Sequence, residues 1–168
     1  IMSNFCNGFG YSWNIFYSPL TAYAPLIFKI FNLSFTNCIK IFMAVVVYLS
    51  GLAMYKFTKK VTKNDNIATI AAILYILAPY RVTDMYVRNA LAELTSFIFI
   101  PIVFKGLYSL LNEEKLTFSM ALGTIGLILT HTIITMYTAI LCFIYLMLNV
   151  KKLRNKKVLK NIIINLIF

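Results

Sequence analysis

Long stretches of this chain carry no charge, and basic residues close them off. Ile41–Tyr55 lies between Lys40 and Lys56, and Ile67–Pro79 follows Lys63 and the turn Asn64-Asp65-Asn66. Lys115 and Lys151 bracket 35 residues in which His131 is the only ionisable side chain. A helix needs about 20 mainly apolar residues to cross a hydrocarbon core roughly 30 Å thick. Lysines at the ends of such helices extend their stems to the interface. With 61% apolar and 12% charged residues and a mean hydropathy of +0.81, too few polar side chains are present to cover a solvated surface. Soluble globular, disordered and nucleic-acid-binding classes are thereby excluded, the last because the basic residues flank apolar runs instead of forming a stripe. The chain reads as an all-α, polytopic transmembrane helical bundle.

Five crossings are expected. The first spans about Cys38 to Thr58, the second Ile67 to Pro79, and the third about Ala90 to Leu111. Between the second and third stands a polar decade, Tyr80 to Asn89. As one helix, the stretch between Lys115 and Lys151 would measure about 52 Å at roughly 1.5 Å per residue. Two short spans meeting near Thr130-His131-Thr132 fit better. With Lys56–Lys63 placed inside, twelve of the 16 basic residues fall on the cytoplasmic side, as the positive-inside rule requires. Residues 1–37 then form an outer loop. Its apolar segment Tyr17–Phe31, broken by Pro19 and Pro25, reads as interfacial or re-entrant, with a sixth crossing as the alternative. Residues 38–150 are the five-span bundle. Residues 151–168 are a cytoplasmic basic segment leading into a truncated further span. Because the chain opens on Ile1, shows no signal-peptide pattern and stops inside an apolar run, we expect an internal piece of a longer multi-pass protein. Thirteen Lys against three Arg suit an AT-rich bacterial genome, hence a bacterial inner or plasma membrane.

The polar decade holds the densest candidates for chemistry. At helical spacing Arg81, Asp84 and Arg88 share a face, with Tyr80 and Tyr86 beside them. Two guanidinium forks around one carboxylate would suit a phosphate at the membrane surface; the alternative is an ion-pair network that fixes a loop. Glu93 lies just inside the next helix, where a carboxylate is costly and faces a polar cavity. His131 opens on the same side, either as an interfacial hydrogen-bonding residue or as part of a shared cavity. Other features read as structural. Cys6, Cys38 and Cys142 are widely spaced and lack metal-ligand patterns. Gly8 and Gly10 are too sparse for a nucleotide cradle. Pro101, Lys105 and Gly106 belong to a membrane helix, and Lys151–Lys160 anchor it to anionic lipid. No cofactor or metal site is evident.

The run Asn7-Gly8-Phe9-Gly10-Tyr11, then Phe16-Tyr17-Ser18-Pro19-Leu20, resembles a bacterial membrane family. So do Pro79-Tyr80-Arg81-x-x-Asp84-x-Tyr86-x-Arg88-x-Ala90-x-x-Glu93, Leu129-Thr130-His131, and Pro101 with Gly106-Leu107-Tyr108. That family is the 6-pyruvoyl-tetrahydropterin synthase-related membrane domain, close to YfhO-like proteins. Nothing in the chain resembles a soluble pterin synthase or its zinc histidines. The resemblance implies a GT-C-like glycosyltransferase that takes a sugar from a polyprenyl-phosphate donor at the outer membrane face. Membrane lipid and a lipid-linked sugar are then the expected partners, with no nucleic acid. Under that reading Arg81, Asp84, Tyr86, Arg88, Glu93 and His131 would bind the phosphate or the sugar. The catalytic acid of such enzymes follows a first helix and would lie upstream of Ile1, since residues 1–37 hold no Asp or Glu. The alternative is a non-catalytic membrane protein: a transporter, a flippase or an envelope-assembly scaffold.

Overall fold

A computed structural model of the protein describes residues 19–167. The motif Asn7–Tyr11, Cys6 and Phe16–Ser18 lie outside the described residues. A short helix α1 (Pro19–Tyr23) runs on as a 3-10 stretch, Ala24–Phe31. Then follow α2 (Phe35–Thr62), α3 (Asp65–Ile76), and α4 (Pro79–Thr83), which opens into a π-helical turn, Asp84–Arg88. The chain continues with α5 (Leu91–Asn112), α6 (Ser119–Ile128), α7 (Thr132–Leu148), α8 (Val150–Leu153) and α9 (Lys156–Ile167). Among the described residues there is no strand.

The breaks follow from local chemistry. Ser34 opens α2 by accepting the Asn37 N–H on its Oγ, and Lys63 ends it in the left-handed region at φ 56°. Asn64 restarts the chain at once, its Oδ1 taking the N–H groups of Asn66 and Ile67, two donors a helix start otherwise leaves orphaned. Pro79 sits at the first turn of α4, where its missing N–H costs nothing. The π turn ends at Asn89, left-handed at φ 50°, with the Ala90 N–H reaching back to Asp84 O. His131 caps α7 by accepting the Ile134 N–H on Nδ1 at 3.3 Å.

Five passes alternate between two ends of the bundle. α2 and α5 run the same way: Leu94 packs with Phe42, Met43 and Val46, and Lys60 pairs with Glu113 at their far ends at 3.0 Å. α3 returns along α2, Ile76 lying against Gly51. α6 returns along α5 through three glycines: Gly106 faces the Met120 backbone, Gly123 faces Val103, and Gly126 faces the Phe99 ring. α7 runs out again, and Lys152 beyond it donates to Asn112 at the end of α5. The larger core gathers Val103, Leu107, Leu110, Met120, Leu127 and Cys142 with Val158 and Ile162 of α9.

Among the described residues two helices, α2 and α5, are long and apolar enough to cross a membrane. α3 with the segment 79–88, bent by 42°, makes a third if counted as one broken span. The five complete crossings expected from apolar runs are therefore not reached by length. The break near Thr130-His131 is present, but the helices on either side have 10 and 17 residues, about 15 and 25 Å. Hydropathy counts apolar residues without distinguishing those that face outward from those that pack on α5, and α6 holds both: Leu122, Ile125 and Ile128 are exposed, whereas Met120, Ala121 and Leu127 are buried.

Candidate functional site

One end of the bundle carries most of the lysines and the other gathers the polar cluster. The π turn sets it up. It widens the helix by one residue, and such turns recur at functional positions. Here it brings Arg88 over Asp84, with Nη1 donating to Asp84 Oδ1 at 2.7 Å. The same Nη1 donates to Glu93 Oε2 and Nη2 to Glu93 Oε1, each at 2.9 Å. Tyr80 donates its hydroxyl to Glu93 Oε2 at 2.7 Å and accepts from Arg88 at 3.0 Å. The guanidinium also lies 5.8 Å from the Tyr80 ring centre. His131 completes the cluster from the start of α7, its Nε2 3.7 Å from Glu93 Oε1.

Of the six residues singled out from sequence, Asp84, Arg88, Glu93 and His131 come together. Arg81 makes no hydrogen bond to them, although the Asp84 carboxylate still interacts with its charge. Arg81 is buried, with 3% of its surface exposed. It donates to Ser50 Oγ at 2.7 Å and to the Tyr75 carbonyl at 3.2 Å, with the Tyr75 and Phe97 ring centres 5.0 and 4.9 Å away. The expected arrangement of two guanidiniums around one carboxylate is thus replaced by one guanidinium between two carboxylates, Asp84 and Glu93. The Arg81 side chain instead turns into the α2–α5 interior, where the Tyr75 and Phe97 rings, set edge to face with centres 6.1 Å apart, replace water. Tyr86 points outward, 77% exposed, and stands apart from the cluster. Tyr80 is the member that charge-based reading underrates, although the Pro79-Tyr80-Arg81 run draws attention to it. Ser50 and Phe97 carry no sequence signal beyond lying in apolar helices.

Two cavities flank the cluster. One, of about 570 Å³, is lined by Thr21, Pro25, Phe35, Ile39, Arg88, Asn89, the first turn of α5 and His131. The other, of about 420 Å³, is an apolar groove formed by Tyr80, Phe97, Ile100, Ile133, Tyr137 and Leu141 with their neighbours. Glu93 and His131 line both. The pair is therefore a wall between a chamber of mixed polar and apolar lining and a groove that is almost wholly apolar. No group of three or more metal-ligating side chains occurs among the described residues.

An uncharacterized protein of Lactococcus lactis subsp. cremoris (strain MG1363) is 26% identical over 160 residues, covering 92% of this chain and 26% of that protein. The chain thus spans about a quarter of the length of the relative it matches. No solved structure matches. Residues 15–167 match the family model described as 6-pyruvoyl-tetrahydropterin synthase related domain; membrane protein, and the chain belongs to that family.

Proposed function

We propose that the chain is part of a GT-C-like membrane glycosyltransferase that uses a polyprenyl-phosphate-linked sugar at the outer face, with α2, α3, α5, α6 and α7 as its five crossings. The observation that carries this reading is the wall formed by Glu93 and His131. A chamber that holds Arg88 and Asn89 and an apolar groove meet there, at the end of the bundle away from the Lys56–Lys63 and Lys151–Lys160 clusters. Such a site suits a molecule with a polar head and a hydrocarbon chain. The positive-inside rule puts the lysine-rich end in the cytoplasm and this wall outside.

The charge balance decides which part of the substrate the cluster meets. Arg88 already faces two carboxylates, and Arg81 is sealed between α2 and α5. No surplus positive charge is left to clamp a phosphate, so the cluster meets sugar hydroxyls, which both donate and accept. The donor phosphate and the catalytic base come from elsewhere in the longer protein, because Asp84 is buried and Glu93 is held by Arg88 and Tyr80. That engagement of both carboxylates also favours a second reading, in which the site holds a lipid-linked sugar without changing it, as in a flippase.

Transfer assays on the full-length protein with polyprenyl-phosphate sugars separate the two. The Arg88→Lys variant should lose at least about tenfold in transfer, because one ammonium cannot hold Asp84, Glu93 and Tyr80 in the geometry of a planar fork. Absence of transfer in the wild-type protein, with lipid-linked sugar still bound, would establish the non-catalytic reading.

A further inference from the structure

Glu93 and His131 face each other across a gap that neither closes. At 3.7 Å the contact is too long for a hydrogen bond. The state of the imidazole follows from its other nitrogen. Nδ1 accepts the Ile134 N–H, so the proton of the neutral ring sits on Nε2, the atom turned toward Glu93. His131 thus offers a donor at the wall. Glu93 Oε1 accepts from Arg88 Nη2 and has room for a further donor. A donor and an acceptor side by side, both short of a partner at this spot, are what a hydroxyl group satisfies. Its oxygen accepts from Nε2 and its hydrogen goes to Oε1, each at about 2.8 Å from a point off the line between them. A phosphate at the same point would meet the carboxylate as a like charge.

We infer that this wall reads a hydroxyl on the head group of a neutral glycolipid. The lipid's sugar occupies the chamber beside Arg88 and Asn89, and its hydrocarbon chain lies in the groove of Phe97, Ile100, Ile133, Tyr137 and Leu141. In that groove Ile133, Tyr137 and Leu141 are each more than half exposed. Glu93 and His131 line both spaces, so one molecule lying across them meets Arg88 and Asn89 on one side and apolar side chains on the other. This deepens the reading above by naming the acceptor: a sugar joined to its chain without a phosphate at the wall. It rests on that reading only for the sugar-bearing lipid as ligand class.

The test uses the full-length protein in nanodiscs and an octyl glucoside with a photoreactive diazirine in its chain. Adducts should map to Ile133–Leu141. Unlabelled octyl glucoside should suppress them, octyl phosphate about tenfold less effectively, and free glucose less still. His131→Asn is the decisive variant, because Asn retains the helix cap but has no donor at the Nε2 position. It should weaken suppression by octyl glucoside about fivefold to tenfold while leaving the melting temperature unchanged. The inference is overturned by equal suppression with octyl phosphate, by adducts spread evenly over α3 and α7, or by a His131→Asn variant that behaves as wild type. Labelling needs no turnover, which keeps the two readings separable. Competed labelling without sugar transfer removes the transferase and leaves this site, whereas transfer with uncompeted labelling does the reverse.

Discussion

Arg81 shows how a single side chain ties the site to the bundle. A guanidinium with 3% exposure and no carboxylate bonded to it is costly to bury. It is tolerated because Ser50, the Tyr75 carbonyl and two aromatic faces replace part of its hydration. Spacing alone could not reveal this. The i,i+3 and i,i+4 relations place Arg81, Asp84 and Arg88 on one helical face only while the helix stays regular, and the chain turns π-helical at Asp84. Asp84, Arg88, Glu93 and His131 were legible because charges within an apolar chain stand out, whereas Ser50, 31 residues from Arg81, was not. Ser50→Ala should leave the guanidinium short of an acceptor and lower stability by about 1–3 kcal/mol. Arg81→Lys should cost a similar amount, since an ammonium cannot reach both Ser50 and the Tyr75 carbonyl while lying against the two rings. Thermal melting in detergent checks both, and a melting temperature unchanged in both variants would show that the buried arginine is not a fastening point.

At the level of helices, the approach of α6 to α5 sets the distance between His131 and Glu93. Gly106 lies against the main chain of Met120, with no flexible side chain to yield. Gly51 faces the tip of the Ile76 side chain, which can turn aside. Two glycines in helices thus carry different expectations. Gly106→Ala should destabilise the protein by about 1–3 kcal/mol through overpacking, and Gly51→Ala by less. Helix packing in a membrane depends on such close approach of small residues, because lipid supplies no hydrophobic drive to hold helices together. Gly106→Ala should also move His131 away from Glu93 and so reduce suppression of the photolabel by octyl glucoside, an effect Gly51→Ala should lack. Most helix positions were legible from charge-bracketed apolar runs: the span expected from Cys38 to Thr58 lies within α2, and that from Ala90 to Leu111 matches α5 within a residue at each end. The glycine contacts were not, because they join residues through space and glycine in an apolar helix has no periodic signature.

For the molecule as a whole, the separation of charge between the two ends matters more than the number of crossings. Lys59, Lys60 and Lys63 at the end of α2 lie beside Glu113 and Lys115 beyond α5, and Lys151 and Lys152 join them after α7. Tyr80, Asp84, Arg88, Glu93 and His131 lie at the opposite end. This polarity survives even though, among the described residues, two or at most three spans have the length to cross, because each pass reverses direction whether or not it spans. α6 packs closely on α5, so its short length can be accommodated against protein, while α7, about 25 Å long, can reach most of the way across a bilayer. Orientation is therefore the property to measure, and two exposed positions report it. In a background with Cys6, Cys38 and Cys142 replaced by Ala, Tyr86→Cys should react with a membrane-impermeant maleimide on intact cells. Lys63→Cys should react only after permeabilisation. Tyr86 is 77% exposed and Lys63 is exposed, so burial would not explain a lack of reaction at either site. The reverse pattern would place the Glu93–His131 wall in the cytoplasm, where a lipid-linked sugar at the outer face could not reach it.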